Sequence, residues 1–373
     1  MIVHIDKDAA VPVLAQAISV LERKTTREIL EHILLEAQGD VLEVRSTDLK
    51  ISLVQSLPCQ VQVPGSLAAP GRKLYEIVRE LPTGTATLEL EENGWLHITA
   101  AKTSFRIPTE RPDEFPEFPV EPGEFSRFPA PSFVTMLEKT LFSASNDETR
   151  PTLCGVYLHS HEDPDTGSHT LRMVSTDGHR LTIMDQPTPV GLHMFQDGLI
   201  LPKKGLASLK SLIEEAGEEF EIAQSGGKIF CRIPNAQMCL TPIDGSFPRY
   251  QDVIPADPRN RVTVAKEAFA DALRRVSLMT DPDTHSVILD AAQGRVLLTS
   301  MNTRTGDSRE EIEATLEGEP LRIAFNASYF LDALRHLSGP EVRIEIDQPL
   351  APCLIRSDED PGYLCVVMPI RID

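Results

Sequence analysis

Val174-Ser175-Thr176-Asp177-Gly178 has two counterparts in the same chain: Val44-Arg45-Ser46-Thr47-Asp48-Leu49 upstream and a more worn Thr299-Ser300-Met301-Asn302-Thr303 downstream. Their serines stand roughly 125 to 130 residues apart, an interval that suits whole repeated domains and not the short units of a solenoid. After each string the chain passes through a helix-like stretch (70–81, 202–216, 326–338) and strand-like runs to a closing phrase rich in Phe, Pro and Ile or Val. The closures are Phe115-Pro116-Glu117-Phe118-Pro119, Phe247-Pro248-Arg249-Tyr250 and Val366-Val367-Met368-Pro369-Ile370. At 373 residues, with about 150 residues to a domain, two or three domains are expected, and the repeat selects three.

Each repeat reads as two helices and several strands. The first helix of each is expected at 11–24, 131–144 and 265–278. Leu14, Ala17, Ile18 and Leu21 recur there at three- and four-residue spacing, as do Phe133, Met136, Leu137 and Leu141, and Phe269, Ala272, Leu273 and Val276. Pro12 and Pro131 fall where a helix's first turn tolerates proline. The second helices carry Leu74, Ile77, Val78 and Leu81; Leu206, Leu209, Leu212 and Ile213; and Phe330, Leu331, Leu334 and Leu337. One apolar stripe per helix predicts that each lies on a sheet. Strands are expected at 85–90, 96–100, 220–223, 228–233 and 342–346, with hairpin turns at Asn93-Gly94 and Gly226-Gly227. The fold class is therefore α+β: three repeated domains, bounded near 1–124, 125–254 and 255–373, each with two helices packed on antiparallel sheets. Residues 159–168 read as an insertion at a hairpin tip.

A content of 41% hydrophobic and 25% charged residues is that of a soluble globular protein. No apolar run approaches the roughly 20 residues of a membrane helix, and the first residues lack a secretory pattern, so a cytoplasmic location is expected. The six cysteines (Cys59, Cys154, Cys231, Cys239, Cys353, Cys365) show no C-x-x-C spacing and are expected as reduced, partly buried thiols. The cluster from His159 to Asp165 is expected as a solvated loop and not a metal site.

The net charge of −20 seems to exclude a nucleic-acid partner. Its distribution says otherwise. The six helical stretches hold thirteen cations (Arg23, Lys24, Arg72, Lys73, Arg79, Lys139, Lys203, Lys204, Lys210, Lys266, Arg274, Arg275, Arg335) against nine carboxylates, so the acidity belongs to strands, loops and linkers. Helix propensity and solubility alone can also place Lys and Arg there.

Thr176-Asp177-Gly178-His179-Arg180-Leu181 is the most specific string in the chain. Asp-Gly suits a tight turn, after which His179 and Arg180 can present side chains at a domain edge. A hydrolase using His179 and Asp177 is the enzymatic alternative, but no nucleophile or third partner stands at a recognisable spacing. The ending Val366-Val367-Met368-Pro369-Ile370-Arg371-Ile372 reads by default as a core strand, yet Pro369 cannot donate to a central ladder. Met368 beside it also suits a groove that accepts several apolar partners.

These residues resemble a family. Thr176 to Leu181, Leu201-Pro202-Lys203-Lys204-Gly205, Asp244-Gly245-Ser246-Phe247-Pro248-Arg249-Tyr250, Phe325-Asn326-Ala327-Ser328-Tyr329-Phe330-Leu331 and the ending from Tyr363 are similar, in order, to the bacterial DNA polymerase III beta subunit, the replicative sliding clamp. The resemblance spans essentially the whole chain. It implies a head-to-tail homodimer of three-domain subunits closing into a ring around duplex DNA, with helices lining the hole and sheet outside. No cofactor, metal or catalysis is implied, and the ring confers processivity.

The resemblance matches Lys24 and Arg72 to the family's DNA-contacting positions. Lys73, Arg150, Lys203, Lys204, Lys210, Arg274, Arg275 and Arg335 complete the expected phosphate-facing set, which reads no bases. It further implies a groove between the second and third domains for a short peptide from the polymerase III alpha subunit, the clamp loader, other polymerases and repair proteins. The expected walls are Leu153, Thr176, Gly178, His179, Arg180, Leu181, Pro248, Val253, Val366, Val367, Met368, Pro369 and Ile370, with Arg371 at the rim. Asp147, Pro151, Thr152, Asp252 and Ile370 depart from residues found in some relatives. A scaffold of the same fold serving repair is the alternative to a replicative clamp.

Overall fold

The computed structural model describes residues 1–22, 25–162, 168–188, 192–215 and 217–371. Among them are six α-helices: α1 (Lys7–Val20), α2 (Gly71–Glu80), α3 (Ala130–Thr140), α4 (Lys203–Ile213), α5 (Lys266–Val276) and α6 (Ala327–His336). Each starts where a strand ends, those strands being Ile2–Asp6, Gly65–Pro70, Ser126–Pro129, Leu199–Pro202, Asn260–Ala265 and Leu321–Asn326. The apolar stripes are buried as their spacing predicts, through Leu14 and Ala17 in α1, Leu74 and Val78 in α2, Phe133 and Leu137 in α3, Leu206 and Leu209 in α4, Phe269 and Leu273 in α5, and Phe330 and Leu334 in α6.

The expected start of α1 needs correction. The Asp6 carboxylate accepts the Ala9 N–H at 2.9 Å and caps the helix upstream of residue 11, so that Pro12 sits inside the helix and not in its first turn. Pro131 does lie in the first turn of α3. The C-terminal part of the expected helix 11–24, Arg23 and Lys24, lies outside the described residues, as does Ala216. The expected hairpin insertion at 159–168 needs correction: residues 159–162 belong to the strand Gly155–Glu162 and pair with 169–172 of the strand His169–Thr176, while 163–167 likewise lie outside the described residues.

The chain forms two compact units, Met1–Val134 with Leu201–Pro242, and Thr135–Ile200 with Ile243–Asp373, so the central repeat contributes to both. The first unit holds a five-stranded sheet in the order Gln60–Val63, Ile2–Asp6, Thr85–Leu90, Trp95–Ala100, Thr103–Pro108. Its second sheet, of eight strands, includes the pair Ala236–Leu240 and Ile51–Pro58, joined antiparallel with Ala236 opposite Gln55 and Leu240 opposite Ile51. The Gly226-Gly227 hairpin forms as expected: Ser225 pairs with Lys228, and both glycines take positive φ (55° and 73°).

In the second unit, successive neighbours in the sheet are Gly155–Glu162, His169–Thr176, Arg180–Pro187, Tyr363–Val367, Cys353–Arg356, Glu341–Ile346, Asn260–Ala265 and Gly306–Glu317. Gly306–Glu317 then turns away to pair with Arg295–Asn302. All six cysteines are thiols. Burial, the larger cause, pushes the Cys239 thiol up to about 11 and the Cys365 thiol up to about 12.

Two copies of the string share a physical role for their serine. Ser175 and Ser300 are buried on strands that face a helix. Their hydroxyls donate to the last carbonyls of the first helix in their repeats, Ser175 to Thr140 O and Ser300 to Val276 O at 2.7 Å. The residues that follow close a turn on themselves. Thr176 Oγ1 donates to Arg180 O at 2.6 Å and accepts from Gly178 N, while Asp177 Oδ1 accepts from the N–H groups of His179 and Arg180 at 2.9 and 3.0 Å. Thr47 and Asp48 repeat this arrangement around Leu49, which has φ 74° where Gly178 has 92°.

Gly71 shows how closely the first helix pair packs. A Cβ there would stand 2.6 Å from Leu21 Cδ1 and 2.9 Å from Ile33 Cγ2, and both of those side chains are buried. Gly71→Ala is expected to destabilise the chain by about 2 kcal/mol through overpacking, although alanine is the better helix former. Urea denaturation at neutral pH measures it, and a variant as stable as the parent would show that this core has slack.

Candidate functional site

A cleft of about 170 Å³ opens in the second unit, lined by Leu153, Thr176, Gly178, Arg180, Leu181, Pro248, Arg249, Tyr250, Val253, Val366 and Met368. Its floor is the apolar surface of neighbouring strands, where Val174, Leu181, Ile183, Leu354, Leu364 and Val366 pack together. Leu181 stands opposite Val366 across the ladder from Arg180–Pro187 to Tyr363–Val367. The other wall is the short 3₁₀ turn Tyr250–Val253, which follows the second closing phrase.

The Thr176–Arg180 turn holds the cleft's mouth. Arg180 is fixed: Nη1 meets Asp332 Oδ2 at 2.6 Å, Nε meets Asp177 Oδ2 at 3.1 Å, Nη2 donates to Phe142 O at 3.0 Å, and the guanidinium lies over the rings of Phe142 and Tyr329. It therefore anchors the mouth, with its donors already committed within the protein. Arg150 donates to Asp177 O at 3.1 Å and pairs with Asp147, which places it at this turn and not on a helix.

Of the residues expected from sequence, nine line the cleft, and His179, Val367, Pro369, Ile370 and Arg371 do not. Strand alternation accounts for Val367: Val366 and Met368 share one face, and Val367 belongs to the other, fully buried. His179 is exposed and stacks on Tyr329 with ring centroids 6.3 Å apart, while its carbonyl accepts the Met368 N–H at 2.9 Å. The Ile370 N–H goes to Ala324 O at 2.7 Å, which ties the chain's end to another strand. Arg249 and Tyr250 were missed as lining residues, although the closing phrase that contains them was visible.

Beneath Tyr250 lies a polar chain. Asp185 holds Arg172 through two 2.7 Å bonds, Arg172 Nη1 donates to Tyr250 Oη at 3.4 Å, and His159 Nε2 lies 2.8 Å from the same oxygen. Burial, then the Arg172 charge, pushes the His159 imidazole down from its ordinary value. Tyr157, whose hydroxyl is pushed up by burial and next by Tyr250, stacks on Phe247 at 5.2 Å.

The helical cations are largely engaged within the protein. Lys204 Nζ reaches Val20 O and pairs with Asp48 at 2.7 Å, Arg72 Nη2 donates to Leu21 O, Lys139 to His336 O and Lys266 to Leu337 O. Each of these four caps the C-terminal end of a neighbouring helix, where carbonyls lack partners and the dipole favours a cation. Lys73 pairs with Glu76, Lys210 with Glu214, Arg274 with Asp271, Arg275 with Glu310 and Arg335 with Asp332. Lys203 is half-buried, and Lys24 lies outside the described residues. Among the described residues no group of His, Cys, Asp or Glu could hold a metal ion, and no helix is long and apolar enough to cross a membrane.

Three successive α+β repeats with this architecture are those of the DNA sliding clamps. A Caulobacter crescentus polymerase III beta structure superposes with a TM-score of 0.91 at 35% identity, covering 100% of both chains. A Bartonella birtlesii sliding clamp (DNA polymerase III subunit beta), solved bound to griselimycin, gives 0.94 at 31% identity and the same coverage. Profiles of the DNA polymerase III beta subunit match in all three parts, the N-terminal domain over 1–119, the central domain over 128–249 and the C-terminal domain over 251–371. The beta sliding clamp of Caulobacter vibrioides is 36% identical over 99% of both chains, and that of Rickettsia bellii 29% identical over 99% of both. The chain belongs to the DNA polymerase III beta subunit family. It is a sliding clamp, a non-catalytic processivity subunit that tethers the polymerase to DNA.

Proposed function

We propose that two copies of the chain join head to tail in a ring around duplex DNA, and that the cleft takes a short apolar peptide from the polymerase, the clamp loader and repair proteins in the cytoplasm. Domains 1–124, 125–254 and 255–373 are the repeating parts of this ring. The observation that carries the peptide reading is the cleft's chemistry: an apolar floor of packed strand residues, closed on one side by Pro248 and the turn Tyr250–Val253. Leu181, Val253, Val366 and Met368 bury a partner's Leu and Phe side chains, contributing about 1.5–3 kcal/mol each. Griselimycin, bound to the Bartonella clamp, is expected to compete for it.

Two strand edges support the dimer. Thr103–Pro108 pairs only with Trp95–Ala100, and residues 306–313 of the long strand pair only with Arg295–Asn302. Each leaves a row of backbone groups without a ladder partner among the described strands. The first edge carries Arg106, paired with Glu91, and the exposed Phe105, while the second carries Asp307, Glu310, Glu311 and Glu313 against Arg309 and is net acidic. A contact between unlike edges is heterologous and closes into a ring if the rotation allows.

The expected DNA set, Lys24, Arg72, Lys73, Arg150, Lys203, Lys204, Lys210, Arg274, Arg275 and Arg335, meets phosphates without reading bases. Retention on circular DNA tests the ring. Loaded on a nicked circle, the protein is expected to remain bound, and cutting the circle to release it within seconds to minutes. Equal loss from circle and linear DNA would remove the topological reading.

A further inference from the structure

We propose that His159 is a positioning residue of the peptide cleft: its Nε2 takes the hydrogen of the Tyr250 hydroxyl and fixes that wall, so that binding weakens when the imidazole gains a proton. The proposal rests on the peptide reading of the cleft. Arg172 can only donate, so it gives a hydrogen to Tyr250 Oη, and with the imidazole proton on Nδ1 the hydroxyl's own hydrogen goes to His159 Nε2 at 2.8 Å. A neutral imidazole with an unprotonated Nε2 completes the chain Asp185–Arg172–Tyr250–His159.

A proton on Nε2 turns that acceptor into a donor, and the Tyr250 hydrogen loses its place. It also sets a cation beside Arg172, directly opposite His159 across the ladder. The groups facing the imidazole do not offset this. Asp185 is already spent on Arg172, His161 stands on the same strand, and Tyr157 and Tyr250 bring only rings and hydroxyls. Tyr250 is 4% exposed and lines the cleft between Pro248 and Val253, so a shift in its ring moves the surface that a ligand meets.

The test uses the full chain and a fluorescein-labelled pentapeptide ending in Leu-Phe, followed by fluorescence anisotropy from pH 7.5 to 5.5. The parent is expected to lose affinity progressively on acidification, toward about fivefold as His159 becomes fully protonated, the equivalent of about one hydrogen bond. His159→Gln, which keeps an acceptor but cannot be protonated, and Tyr250→Phe, which has no hydroxyl, are expected to bind with no such pH dependence. The same slope in the parent and His159→Gln overturns the proposal. The imidazole titration of His159, followed by NMR, separates this from failure of the cleft itself. Tyr250→Phe is expected to move it to higher pH, because the lost hydroxyl favoured the neutral ring, and an unmoved titration refutes the link whether or not the peptide binds. A parent that binds no peptide at pH 7.5 and shows the NMR shift would retain the His159–Tyr250 bond but overturn its role in binding.

Discussion

A chain ending at Val367 binds a Leu-Phe peptide at least about tenfold more weakly than the full chain and still elutes as a dimer. Met368 is the last residue to line the cleft, and its loss removes apolar area worth about 1.5–3 kcal/mol when a ligand covers it. The truncation also deletes two backbone bonds, Met368 N–H to His179 O and Ile370 N–H to Ala324 O, which hold the cleft's edge against its mouth. The strand Tyr363–Val367 stays, paired on both sides, so the core is kept. The two edges proposed for the dimer lie elsewhere in the chain. Isothermal titration with the peptide, beside gel filtration, reads both halves of the result. Unchanged affinity would place the peptide site away from Met368.

The second large effect is on stability. Lys139 and Asp360 form an ion pair at 2.6 Å with both side chains only 9% exposed, and Lys139 also donates to His336 O. Asp360→Ala leaves that ammonium buried without its carboxylate and is expected to cost about 3–5 kcal/mol. Burial by itself would raise the Asp360 carboxyl, but the Lys139 ammonium and the Ser338 N–H outweigh it and hold the group below the usual carboxylate range. A carboxyl with a lowered native value binds fewer protons folded than unfolded. Its contribution is thus complete above the ordinary carboxylate value near 4 and is lost as the pH falls through the native one. Denaturation midpoints followed from pH 7 down to pH 3 should therefore fall more steeply for the parent than for Asp360→Asn. Parallel curves would assign the acid sensitivity to other groups.

The helices were legible because their stripes answer to a single period, and the burial of Leu74, Phe269 and Phe330 follows from spacing alone. The start of α1 was displaced because the stripe says where a helix is buried, whereas Asp6, three residues before Ala9, says where it begins. In the cleft, Val367 is misplaced by sequence because a strand offers only alternate residues to one face, an alternation available in the sequence, whereas Pro369 and Ile370 lie beyond that strand's end at Val367. Tyr250 was hidden for a different reason. Its place depends on a 3₁₀ turn and on Arg172 and His159, which lie far from it in sequence. Charge was the least legible feature, since a count of lysines and arginines does not reveal that Lys204, Lys139, Lys266 and Arg72 are each bonded to a helix end.

Those bonds have a thermodynamic signature in the proposed ring. A cation that releases a condensed counterion from DNA adds about one to the slope of log affinity against log salt, but one that must first leave a carbonyl or carboxylate gives back part of what it gains. The ring's hold on DNA should accordingly respond to salt less than the thirteen cations counted in each chain's expected helical stretches suggest. Retention that depends on closure and not on contact strength lets each phosphate be exchanged for the next at little cost, so the internal bonding of these side chains keeps friction along the duplex low.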